Sequence, residues 1–137
     1  MLRHRRKTRP LPRRSLEPAS AWMADAACLF CRIASRQIKA NIVAETDELV
    51  AITDVNPQAP THLLVIPKEH IATLADATQQ QTALLGSALQ LTNRLARDHQ
   101  LTDGYRVVIN NGARAGQSIF HLHVHLLGGR PFQWPPG

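Results

Sequence analysis

No apolar run in this chain of 137 residues approaches the ~18 residues of a membrane span or forms the core of a secretory signal. The expectation is a soluble, cytoplasmic protein that engages no membrane. Cysteine is scarce, with only Cys28 and Cys31 in the run Cys28-Leu29-Phe30-Cys31. A Cys-x-x-Cys without a second pair is a weak signal by itself, because a tetrahedral zinc needs two more nitrogen or sulfur ligands. There is no internal repeat, and the length suits one domain with a real core, leaving no room for a second. Most of the chain also lacks net charge. The formal +6 sits in residues 1–22, where Arg3, Arg5, Arg6, Lys7, Arg9, Arg13 and Arg14 face Glu17 alone. Residues 23–137 carry nine basic and nine acidic side chains, so nucleic acid is not an expected partner of the folded part.

The basic segment contains Pro10, Pro12 and Pro18 and few apolar residues, so it cannot offset its ordering entropy by burial. Residues 1–22 are therefore expected to be a disordered extension ahead of a domain at 23–137. Met23 is an alternative start, and the functional readings are a basic arm for nucleic acid, bound weakly, or for a membrane surface, or an organellar presequence, against whose amphipathic helix the prolines work. Further on, apolar spacing predicts a short helix at 28–37, strands at 42–44 and 48–52 joined as a hairpin, a loop at 54–60 and a compact strand at 62–66. Leu84, Leu85, Ala88, Leu91 and Leu95 predict one amphipathic helix over about 78–99. Strands at 105–110 and 119–127 flank a glycine-marked loop at 111–116. Consecutive strands with one long helix predict an α+β fold built on a five-stranded antiparallel meander.

The most informative run is His121-Leu122-His123-Val124-His125-Leu126-Leu127. On an extended backbone the three imidazoles share one face and the aliphatic residues the other. Imidazoles roughly 6–7 Å apart suit either metal ligation or catalysis in which one ring is the nucleophile and others handle protons.

This heptad resembles the histidine triad family of nucleotide hydrolases and transferases. The stretch from Asp54 to His62, Val65-Ile66-Pro67-Lys68, Gly116-Gln117-Ser118 and the Trp134-Pro135-Pro136-Gly137 terminus are similar to its histidine triad nucleotide-binding protein branch. The resemblance covers about residues 28–137. It implies a homodimer with a ten-stranded sheet that binds purine nucleoside monophosphate derivatives, hydrolyses phosphoramidates of AMP or GMP and also processes aminoacyl-adenylates.

By that resemblance His123 is the nucleophile that forms a nucleotidyl-histidine. His125, Asn110, Gly116, Gln117 and Ser118 serve the phosphate, and His62 either handles protons or supports the residues that do. Asp54 takes the ribose hydroxyls, or is simply a turn aspartate. Leu29, Phe30, Ile33, Ile52, Thr53 and Val55 form the base pocket, with Ile52 where the branch often has an aromatic. Cys28 and Cys31 with His70 and His121 imply a structural zinc, the alternative being two reduced thiols and a His70–His121 hydrogen bond, and catalysis itself requires no cofactor. The alternatives are a dinucleoside polyphosphate hydrolase, a nucleotidyltransferase acting on sugar phosphates, and a non-catalytic nucleotide-binding scaffold. The small size, the Leu127-Gly128-Gly129-Arg130 run and the Trp-Pro-Pro-Gly end argue against the first two, and the intact triad against the third.

Overall fold

A computed structural model describes residues 25–137; the extension expected at 1–22 lies outside the described residues. The elements are helix α1 (Leu29–Ala34), strands β1 (Ile42–Glu45), β2 (Leu49–Thr53) and β3 (Thr61–Pro67), helix α2 (Thr82–Asp98), and strands β4 (Tyr105–Val108) and β5 (Val124–Gly128). They form one antiparallel five-stranded sheet with the order β1-β2-β3-β5-β4. The expected α+β class is present. It differs from a sequential meander in one place: the last strand lies between β3 and β4, which makes β4 an edge.

Both faces of the sheet are covered, which is why β3 is a continuous apolar run rather than an alternating one. On one face α2 packs Leu84, Ala88, Leu91 and Leu95 against Leu49, Ala51, Leu63, Val65, Val124 and Leu126. On the other, Phe30 and Ile33 of α1 pack against Val50, Ile52, Leu64 and Ile66. Helix α2 begins later than the apolar pattern predicts, because Gln79–Gln81 form a 3-10 turn capped by the Thr78 hydroxyl.

The histidine strand is also shorter than expected. Only its end enters the ladder, since the Leu122 N–H donates to the Ile71 carbonyl at 2.6 Å and holds residues 121–123 against the loop that follows β3. The alternation of faces survives: Leu122, Val124 and Leu126 join the α2 side, while the His121 and His123 rings lie 5.9 and 5.0 Å from the Phe30 ring.

Two glycines close this end of the sheet. A Cβ on Gly128 would sit 2.6 Å from Leu101 Cδ1, and one on Gly129, which has a φ of +89°, would sit 2.9 Å from Pro60 Cβ. Leu101 is itself in the core, so Gly128→Ala is expected to destabilise the fold by about 1–3 kcal/mol through overpacking. Urea denaturation compares the midpoints; an unchanged midpoint would mean that Leu101 repacks freely.

Candidate active site and metal centre

The register of the sheet explains how residues from three parts of the chain meet. Ile52 pairs with Leu64, and Leu64 with His125, which pairs with Val108 on the far side. Two residues back along β3, His62 therefore shares the His125 face, and the Asp54 N–H donates to the His62 carbonyl at 3.0 Å. Two residues beyond Val108, where the β4–β5 pairing has ended, Asn110 has its Nδ2 3.9 Å from the position of a Cβ on Gly116. Gly112 and Gly116 both have positive φ, and Gly116 ends the tight turn Ala113–Ala115 in the left-handed region, where a Cβ is disfavoured.

Hydrogen bonds assign the proton positions. The Gln58 N–H donates to His62 Nδ1 at 3.0 Å, so the single proton of a neutral His62 lies on Nε2. That Nε2 is 2.9 Å from His125 Nδ1 and 3.4 Å from Asp54 Oδ2. His125 thus accepts at Nδ1 and carries its own proton on Nε2. His123 donates from Nδ1 to the His121 carbonyl at 2.6 Å, leaving its Nε2 with a lone pair. The His123 and His125 ring centroids are 4.9 Å apart. The arrangement is an imidazole with an unshared pair beside a second imidazole that offers an N–H.

Burial keeps these rings neutral. It pushes His125 down to about 4, with His123 and His62 adding to the effect and Asp54 opposing it. His62 and His123 are also lowered, chiefly by burial and against the pull of Asp54.

A second cluster lies under α1. Cys28 caps the helix, its Sγ accepting the Cys31 N–H at 3.5 Å. His121 Nδ1 is 3.3 Å from Cys28 Sγ, 3.4 Å from Cys31 Sγ and 3.2 Å from His70 Nδ1. His70 Nδ1 is 3.2 Å from Cys31 Sγ. These separations are close to the ligand–ligand edges of a zinc tetrahedron, about 3.3–3.8 Å from standard Zn–S and Zn–N lengths. His121 Nε2–H donates to the Pro67 carbonyl at 2.6 Å, which leaves Nδ1 as the free donor atom. Burial takes His121 down to about 4, so the ring is neutral as a ligand must be. It also pushes the Cys31 thiol up to about 11.

Asp54, His62 and His125 also converge, their ligand atoms lying within 4.8 Å of one another. This trio does not suit a metal. His62 Nδ1 is taken by a backbone donor, so its Nε2 must carry the proton and cannot ligate. The two clusters look alike in composition, and their outer hydrogen bonds separate a ligand cage from a proton chain.

Several sequence expectations are placed differently. Gln117 is 4 % exposed, and its amide accepts from the Gly112 N–H and donates to the Ala72 and Ile119 carbonyls, so its side chain fastens the loop instead of lining the site. Ser118 is exposed on the same loop. Leu29 and Val55 are exposed, whereas Phe30, Ile33 and Ile52 are buried, Phe30 with its ring against those of His121 and His123, and Thr53 is half-buried. Asp54 does make a turn, its Oδ1 accepting the Asn56 N–H at 2.8 Å, and its other oxygen adds the His62 contact. No sequence signal announced the backbone donor on His62, because Gln58 acts through its main chain.

Residues 35–132 match the HIT domain family. An uncharacterised HIT-like protein of Synechocystis is 52% identical over 109 residues, covering 80% of this chain and 96% of that protein. A 14 kDa zinc-binding protein of Zea mays is 43% identical over 123 residues, covering 88% and 96%. Among solved structures, a HIT family hydrolase of Legionella pneumophila aligns with a TM-score of 0.79 at 48% identity, over 80% of this chain and 99% of that one.

Proposed function

The chain belongs to the HIT domain family, and from that premise we propose that it is a hydrolase of purine nucleoside phosphoramidates working through a nucleotidyl-histidine. The observation that carries the reading is the fixed tautomer of His123, whose Nδ1–H is tied to the His121 carbonyl so that Nε2 is free to attack. In the first step His123 Nε2 bonds to the α-phosphorus as the P–N bond breaks, and His125 Nε2–H protonates the leaving amine. His62 Nε2–H keeps its proton and donates a hydrogen bond to His125 Nδ1, which holds the His125 proton on Nε2 and strengthens as His125 gives that proton up. In the second step water attacks phosphorus, its proton returns through His125, and the nucleoside monophosphate leaves. Asn110, Gly116 and Ser118 are the proposed donors to the phosphoryl oxygens. Asp54 also remains the candidate for the ribose hydroxyls, and the face formed by Phe30, Ile33 and Ile52 for the base, with Leu29, Thr53 and Val55 at its rim.

Cys28, Cys31, His70 and His121 are the proposed holders of a structural zinc, which would tie α1 to the histidine segment and take no part in the chemistry. The proposed assembly is a homodimer formed through β4, an edge strand with Tyr105 and Val107 exposed. No helix among the described residues is long and apolar enough to cross a membrane.

Steady-state hydrolysis of adenosine and guanosine phosphoramidates, with diadenosine polyphosphates and sugar nucleotides as competitors, tests the reading. The phosphoramidates are expected to be turned over with the highest kcat/KM. A preference for diadenosine polyphosphates would instead favour the dinucleoside polyphosphate hydrolase.

A further inference from the structure

The relay has a weak point in its geometry. His62 sits on β3, a rigid central strand, but the donor that fixes its tautomer is the N–H of Gln58, on a loop between Pro57 and Pro60. A loop held only by its own turns would let that donor drift, and His62 would then carry its proton on either nitrogen. Two neighbouring residues of the other chain segment hold this loop. Arg130 donates from Nε and Nη2 to the Gln58 carbonyl at 3.1 and 2.9 Å. Gly129 lies so close to Pro60 that a Cβ would be 2.9 Å from the proline ring. The guanidinium is itself braced: its Cζ lies 4.3 Å from the Phe132 ring centroid, and Nη1 donates to the Pro131 carbonyl at 3.1 Å. A planar fork with two donors on one carbonyl sets both direction and distance, which an ammonium cannot do.

We propose that Arg130 is a positioning residue of the histidine relay, clamping residues 54–60 so that the Gln58 N–H stays on His62 Nδ1 and the His62 proton stays aimed at His125. The catalytic consequence rests on the function proposed above; the effect on the His62 tautomer does not.

Ring ¹⁵N spectra of His62 and steady-state kinetics on adenosine phosphoramidate, in wild type, Arg130→Met, Arg130→Lys and Arg106→Met, test it. Arg106 also lies over Phe132 and donates to the Gln133 carbonyl, but it does not touch Gln58, so Arg106→Met isolates the anchoring of the C-terminal segment. In wild type His62 is expected as the Nε2–H tautomer alone. Arg130→Met is expected to give a mixture of tautomers and a kcat lower by roughly ten- to a hundredfold, as for a misaligned catalytic group, with a smaller rise in KM. Arg130→Lys, which is less disruptive should Arg130→Met fold poorly, recovers part of both, and Arg106→Met stays near wild type. The proposal is overturned if His62 keeps its single tautomer in both Arg130 variants, if only KM changes, or if Arg106→Met loses as much as Arg130→Met. Should wild type hydrolyse none of the phosphoramidates, the function reading falls, and the tautomer comparison still decides the role of Arg130.

Discussion

His123→Asn is expected to lower turnover by roughly 10³-fold or more, the loss that follows removal of a covalent step, while folding and nucleotide binding persist. The asparagine amide can still donate to the His121 carbonyl that the imidazole engages, so the local backbone has its partner and only the nucleophilic nitrogen is gone. His125→Asn is expected to cost less, on the order of 10²–10⁴, as a donor of a proton or hydrogen bond. Acid-quenched wild-type enzyme should contain a nucleotidyl adduct on His123 that the His123→Asn protein lacks. An adduct mapped to His121 or His125, or a near wild-type rate in the variant, removes His123 from the role. The neutrality of the rings also sets the pH dependence. Because burial lowers His62, His123 and His125 below the ordinary histidine range, the active neutral forms persist as pH falls through 6.5. The acid limb of the rate should therefore lie below 6.5, with His125 gaining its proton only toward about 4. A profile of kcat/KM from pH 8 to 4 with its acid limb near 6.5 would contradict this.

Cys31→Ser is expected to lower thermal stability by far more than it lowers activity per folded molecule. A metal that binds only the folded state at a hundredfold over its Kd contributes about 2.7 kcal/mol, close to 10 °C in Tm for a domain of this size. Cys31 is 5 % exposed and lies within reach of both His70 and His121, so its loss breaks the cage from inside. Protein purified without chelator should carry about one zinc per chain, and less than about 0.2 equivalents would sink the structural-zinc proposal. Treating wild type with chelator should reproduce the Tm loss of Cys31→Ser, and the two changes should not add.

Much of this protein is readable in its residues because the signals are local or periodic. The spacing of Leu84, Ala88, Leu91 and Leu95 determines α2 and the face it buries. The alternation at 121–126 determines which side chains go to the core and which to the site, and it holds even where residues 121–123 leave the ladder. The pairing of Cys28 and Cys31 with His70 and His121, reached through the family resemblance, is a convergence that the coordinates reproduce. What the sequence could not determine depends on main-chain groups and on register, which have no side-chain signature. The insertion of β5 between β3 and β4 follows from pairing energies summed over the whole sheet. The inward turn of Gln117 follows from carbonyls of Ala72 and Ile119 that only the folded loop brings within reach. The difference between a metal cage and a proton chain is decided by two backbone partners, the Pro67 carbonyl on His121 and the Gln58 N–H on His62. Each imidazole has one proton to place when neutral, and it is the tertiary structure that chooses the nitrogen.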